Sequence, residues 1–157
     1  QDKKYFHKVT GCNSRLDSIQ AAILKIKLNY LDSFSLSRNK MAKIYDENFS
    51  NISELMIPKR QHNSTHVFHQ YTLIVNSQFR DNLIDFLRKN DIPASIYYPL
   101  PLYKQEAFCK YVKSDFEIPN VEQLCGTVLS LPIHTEMTKE QLDFICSGVA
   151  EFLSTKQ

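Results

Sequence analysis

Asn13 and Arg15 stand in the run Gly11-Cys12-Asn13-Ser14-Arg15, immediately before a long stretch of helical periodicity. A helix start leaves backbone N–H groups free and carries the positive end of the helix dipole. Asn13 adds an amide donor and Arg15 a guanidinium fork, so the chemistry on offer is capture of an anion such as phosphate. The same cap beside an arginine also occurs on helices that bind nothing. A second group is Tyr97-Tyr98-Pro99-Leu100-Pro101-Leu102-Tyr103. Two prolines stiffen this loop, and its phenol hydroxyls can reach a polar ligand such as a sugar or nucleotide. The competing reading is a packed aromatic turn.

Other reactive side chains offer less. His62, His66 and His69 have no metal-ligand spacing, since a strand starting near Val67 sends His66 and His69 to opposite faces. Solvated or hydrogen-bonded roles are expected for them. Asp46 and Glu47 are adjacent on a helix and cannot converge on one substrate atom. No G-x-S-x-G motif is present, and three glycines cannot make a G-x-G-x-x-G or Walker loop. The four cysteines contain no C-x-x-C pair, which points to reduced thiols, several of them filling the core. Lys3, Lys4 and Lys8 around Tyr5 and Phe6 read as a solvated end.

What must position these groups is a chain of 157 residues, long enough for one domain with a core that needs no staples. A formal charge of +2 gives no reason to expect nucleic acid or anionic lipid as a partner. The apolar stretches, such as Ala21 to Leu24, are far shorter than the ~20 residues of a membrane span. The opening QDKKYFHK has no apolar segment of a secretory signal, and a cytoplasmic location is expected.

Leu16, Ile19, Ile23, Ile26, Tyr30, Phe34, Met41, Ile44 and Phe49 recur at helical steps and predict one helix of about nine turns from Ser14 to Asn48, opened by a Ser14/Asp17 capping box. Such a helix spans ~50 Å, against a radius of gyration near ~15 Å for a domain this size, so part of its apolar face should belong to something else. Strands are predicted at Val67–Val75, Ala94–Tyr98 and Val128–Leu131, and helices at Gln78–Asn90, Gln105–Val112 and from Val121. A last helix opens on a Thr138/Gln141 capping box. The expected class is α+β: a long N-terminal helix, then a small three-stranded sheet with helices.

Taken together these segments resemble one family. GCNSRLDSIQAAILKIKL is similar to the G-x-N-x-R-x-x-x-x-Q-A-A start of the long helix in pyridoxal-phosphate-dependent nucleotide-sugar aminotransferases of the DegT/DnrJ/StrS type. HVFHQYTLIV resembles their first small-domain strand, DIPASIYYPLPLYKQEAF their Y-P-x-P-L loop, and VEQLCGTVLSLPIHTEMTKEQLDFI their L-S-L-P ending with its closing helix. The four stretches follow in the family's order from Val9 to Leu153.

The resemblance implies the small C-terminal domain of a fold-type I aminotransferase, with residues 1–50 as the connection and interdomain helix and 51–157 as the small domain. It implies pyridoxal phosphate as cofactor, a nucleotide-linked keto-deoxysugar as substrate, an amino acid (glutamate by expectation) as donor, and a homodimer with no nucleic-acid or membrane partner. Asn13 would bind the cofactor phosphate of the neighbouring subunit, and Arg15 would support that phosphate or the substrate's diphosphate. Tyr98, with Tyr97 beside it, would approach the sugar. The sequence departs from the family where Tyr97 and Tyr103 stand in place of frequent histidines, whereas His69 matches one. The family's cofactor-bearing lysine lies upstream, in the large domain, within a serine-rich motif of the S-x-x-x-x-K kind. The chain is therefore expected to be the C-terminal part of such an enzyme and inactive alone, its abrupt start favouring truncation. Alternatives are a sugar dehydratase of the same family, in which histidine replaces that lysine, and a free-standing binding or regulatory module.

Overall fold

A computed structural model describes residues 4–8, 15–112 and 117–155. The long periodic stretch forms two helices, α1 (Ser18–Leu28) and α2 (Leu31–Phe49), instead of one. At the break the Asn29 and Tyr30 N–H groups reach back only three residues, to the Ile26 and Lys27 carbonyls at 3.2 and 3.0 Å. The turn tightens there, and α2 restarts from Tyr30 at φ −108°. The expected Ser14/Asp17 box is also replaced. Asp17 is itself the cap of α1, its carboxylate accepting the Gln20 N–H at 2.8 Å, and Ser14 lies outside the described residues.

The two helices have different fates. α2 sends Ala42, Tyr45 and Phe49 into the core, whereas α1 buries none of its residues. Ile19, Ile23, Ile26 and Tyr30 lie exposed along one side of α1. Ala21, Leu24, Leu28 and Leu31 line a groove of about 900 Å³ on the other. A helix that is apolar nearly all round is a helix made to be covered.

The core is organised by an antiparallel sheet in the order β1 (Leu55–Met56), β2 (Tyr71–Val75), β3 (Val128–Leu131). Its register pairs Tyr71 with Leu131 and Leu73 with Leu129. Tyr71, Leu73 and Val75 alternate inward, and all of β3 is buried although it ends the three-stranded order. α3 (Ser77–Lys89) and α6 (Lys139–Ser154) bring Leu83, Leu87, Leu142 and Val149 into the same core. Gly148 of α6 leaves room for Ile92, just after α3, since a Cβ there would meet Ile92 Cδ1 at 2.8 Å. α6 opens on the expected Thr138/Gln141 capping box. α4 (Glu106–Cys109) and α5 (Pro119–Thr127), the latter with Pro119 in its first turn, complete the α+β fold.

Two expected strands shrink. Val67–Val75 becomes Tyr71–Val75, because side chains of α2 occupy the preceding carbonyls: Asn39 donates to His66 O at 2.7 Å and Arg38 to Val67 O at 2.9 Å. Phe68, at φ 45°, turns the chain there. Ala94–Tyr98 is reduced to a single bridge between Ser95 and Ser130, with bonds of 3.0 and 2.8 Å, before the prolines end pairing. The two-residue β1 takes the place of third strand. Among the described residues, no helix is long and apolar enough to cross a membrane, and no group of three or more His, Cys, Asp or Glu could hold a metal.

Cys12 lies outside the described residues, and the other three thiols divide by burial. Cys109 is exposed, Cys125 is half-buried, and burial pushes the Cys146 thiol up to about 12. In native buffer near pH 8, Cys109 is expected to alkylate before Cys125, and Cys146 only on unfolding. Peptide mass mapping of a timed alkylation checks that order.

Candidate functional site: a tyrosine group at the loop end

Ser130 anchors the site from below. It is buried in β3, bonds Thr72 across the strand pair through the hydroxyls at 2.8 Å, and pairs its backbone with Ser95. Past that bridge Ile96 still packs against the core, and Tyr97 and Tyr98 follow it, joined by a cis peptide. Tyr97 lines a cavity of about 200 Å³ together with His69, Gln70, Ser95, Ser130 and Pro132. Tyr98 stands 58% exposed.

The two rings meet edge to face at 5.8 Å, and a third ring, Tyr5, closes the group. Its centroid is 5.6 Å from Tyr97 and 5.1 Å from Tyr98, at interplanar angles of 69° and 83°. The Lys4 ammonium lies 4.9 Å from the Tyr5 centroid. Hydrogen bonds from Tyr5 and Ser95 to the Tyr97 oxygen, helped by the charge of Lys4, hold the Tyr97 phenol below its ordinary value.

Tyr5 is present because the backbone of segment 4–8 is bonded to the loop, while the Lys4 and Lys8 side chains stay exposed as expected of a solvated end. Gln105, 4% exposed, donates from Nε2 to the Tyr5 carbonyl at 2.6 Å and accepts the His7 N–H at 2.9 Å. The Ala107 N–H donates to the His7 carbonyl at 2.8 Å. Tyr5 and Gln105 are the residues the sequence reading missed; the adjacent aromatics Tyr5 and Phe6 were the available signal among the lysines.

Tyr103 is engaged elsewhere. Its hydroxyl donates to Glu122 and accepts the Ile118 N–H at 3.2 Å, while Lys104 pairs with Glu122 at 2.8 Å. This cluster ties the loop to the start of α5. Arg15 is exposed just ahead of α1. It has no ion-pair partner among the described residues and makes no contact there with the tyrosine group. Asn13 lies outside the described residues. His66 and His69 are not brought together: His66 Nδ1 accepts the Phe68 N–H at 2.9 Å, and His69 faces the cavity beside Tyr97.

The tyrosine group can donate and accept hydrogen bonds and offer ring faces, which is binding chemistry. Reactive chemistry must come from elsewhere. The profile of the DegT/DnrJ/EryC1/StrS aminotransferase family matches residues 1–150. The chain belongs to that family.

Among relatives of this aminotransferase-family chain, a protein named pleiotropic regulatory protein from Geobacillus stearothermophilus is 38% identical over 151 residues, 95% of the chain and 40% of that protein. The dTDP-3-amino-3,6-dideoxy-alpha-D-galactopyranose transaminase of Aneurinibacillus thermoaerophilus is 35% identical over 150 residues, 96% of the chain and 40% of the enzyme. Among solved structures, Streptomyces venezuelae DesV in complex with a ketimine intermediate superposes with a TM-score of 0.82 at 30% identity, covering 97% of the chain and 40% of DesV. The chain thus spans about 40% of the length of the relatives it matches.

Proposed function

We propose that this chain is the C-terminal part of a pyridoxal-phosphate-dependent enzyme that moves an amino group from an amino acid, glutamate by expectation, onto a keto-deoxysugar carried by a nucleotide. The observation that carries the reading is the family match over residues 1–150, in a family whose relatives include nucleotide-sugar transaminases. When bound, the cofactor supplies the electron sink for nitrogen transfer. The residues of this chain bind and orient. Tyr97 and Tyr98 would meet the sugar, one from a cavity wall and one from the exposed loop.

The residues present fit an anion such as the cofactor's phosphate, with one restriction. Arg15 offers an exposed guanidinium, but the Asp17 carboxylate already caps α1. The helix mouth is therefore a poor phosphate cradle, and the side chains of Asn13 and Arg15 must do the holding. In the proposed homodimer Asn13 serves the neighbouring subunit's cofactor. The exposed faces of α1 support a missing neighbour: residues 1–50 would be the connection to a larger domain and 51–157 the small domain. The enzyme is placed in the cytoplasm.

The test is the full-length protein incubated with pyridoxal phosphate, glutamate and a nucleotide-linked keto-deoxysugar. Nitrogen appearing on the sugar is the expected result. Deoxygenation without amine gain would assign the dehydratase chemistry instead, and a cofactor-free protein inert in both assays would leave only a binding module. Asn13→Ala is expected to weaken cofactor affinity about tenfold, the worth of one charge-assisted hydrogen bond, without loss of folding. Cofactor absorbance after dialysis measures it, and unchanged retention contradicts the phosphate role.

A further inference from the structure

We propose that Tyr5 is a positioning residue for the substrate, holding the Tyr97 and Tyr98 rings in the one arrangement that receives the sugar. The inference rests on the substrate role proposed above for those two tyrosines.

Three independent features point to it. First, Tyr5 itself is held in place at a cost. Its φ of 68° lies in the left-handed region that a bulky non-glycine residue adopts only when its surroundings impose it. The imposing group is the buried Gln105 amide, which bonds both the Tyr5 carbonyl and the His7 N–H. Second, that anchor belongs to the same loop as the substrate tyrosines. Gln105 follows Pro99 and Pro101 by a few residues, so the register between Tyr5 and the pair is fixed through rigid backbone.

Third, the three rings form a closed edge-to-face triangle with sides of 5.6, 5.1 and 5.8 Å. Each ring limits the rotamers of the other two. Tyr98 needs that restraint most, because at 58% exposure the loop itself encloses little of it. Removing the Tyr5 ring frees Tyr98 to leave its binding rotamer and unties the hydroxyl contact to Tyr97. Apparent affinity falls by the fraction of time the competent arrangement is lost. Tyr5 touches neither cofactor nor reacting atom in this account, so the defect should appear in sugar binding alone.

The experiment uses the full-length protein and measures its two half-reactions separately. The donor half-reaction, followed by cofactor absorbance with the amino acid alone, does not involve the sugar. Tyr5→Leu is expected to raise KM for the nucleotide sugar about tenfold, with kcat and the donor half-reaction unchanged, and Tyr5→Phe to bring KM back within about threefold of the parent. An unchanged KM in Tyr5→Leu beside a raised KM in Tyr98→Ala overturns the role of Tyr5 and leaves the substrate reading standing. An unchanged KM in both overturns the two together. Equal losses in both half-reactions would make Tyr5 a general structural prop and also overturn the proposal. Should Tyr5→Leu fail to accumulate, Gln105→Met frees the segment while leaving every ring intact. It faces the same criteria, an unchanged sugar KM counting against the proposal.

Discussion

The 157-residue chain alone is expected to self-associate through the uncovered Ile19, Ile23 and Ile26, and replacing all three by glutamate is expected to make it a monomer, weakening association at least about a thousandfold. The three isoleucines follow one another at i, i+4 and i+7 and are 75%, 50% and 64% exposed, with Tyr30 continuing the line. Each recovers roughly 1.5–3 kcal/mol when its side chain leaves water, so three exceed the ~4 kcal/mol that a thousandfold requires. Folding should not suffer. α1 contributes nothing to the core, and glutamate has a better intrinsic helix propensity than isoleucine. Lys25 and Lys27 flank the third site and offset the charge placed near the helix end. Sedimentation velocity and far-ultraviolet circular dichroism of both chains give the answer. A parent chain that sediments as a monomer and binds no apolar dye would show that these faces need no partner.

Where the sequence was legible, short-range signals agreed with one another. β3 ends at Pro132, α6 opens on a complete capping box, and α3 shows one apolar face from Phe79 to Leu87. The break between α1 and α2 was hidden because the periodicity runs through Asn29 and Tyr30 with neither glycine nor proline to mark it. β1 is two residues long, too short for any alternation to register. The shortening of β2 is a tertiary effect, since only the fold brings Asn39 and Arg38 to the carbonyls of His66 and Val67. The candidate site divides the same way. Tyr97 and Tyr98 announce themselves by aromatic residues set against prolines. Tyr5 is brought to them by Gln105, 100 residues on, a relation no local pattern contains.

Tyr45→Ala, made in the glutamate background so that unfolding can be read from a monomer, is expected to cost about 4 kcal/mol of stability. Tyr45 is fully buried, stacks on Phe49 at 5.7 Å and leans on Tyr71 at 4.7 Å. Its hydroxyl donates to the Pro132 carbonyl at 2.7 Å, tying α2 to the end of β3. Tyr71 in turn donates to Asp46 at 2.8 Å, and Asp46 pairs with Arg60, so the cavity opens beneath the contacts that hold the polar connection to α2. Tyr45→Phe keeps the rings and loses the hydroxyl, and about 1 kcal/mol is expected. The same pair of variants separates packing from ionisation. Burial, the larger cause, and nearby Cys146 raise the Tyr45 phenol above its model-compound value of 10.0. The unfolded chain therefore releases that proton first as pH rises. Stability is intact below pH ~10 and is lost above it, at up to about 1.4 kcal/mol per pH unit for each such tyrosine. Tyr71 shares this behaviour, raised by burial and by its bond to Asp46. Tyr45→Phe should then remove one proton's worth of the alkaline slope while Tyr71 keeps the rest. Urea midpoints at pH 8 and pH 11 measure it, and an unchanged slope would mean that Tyr45 ionises in the folded chain as freely as in the unfolded one.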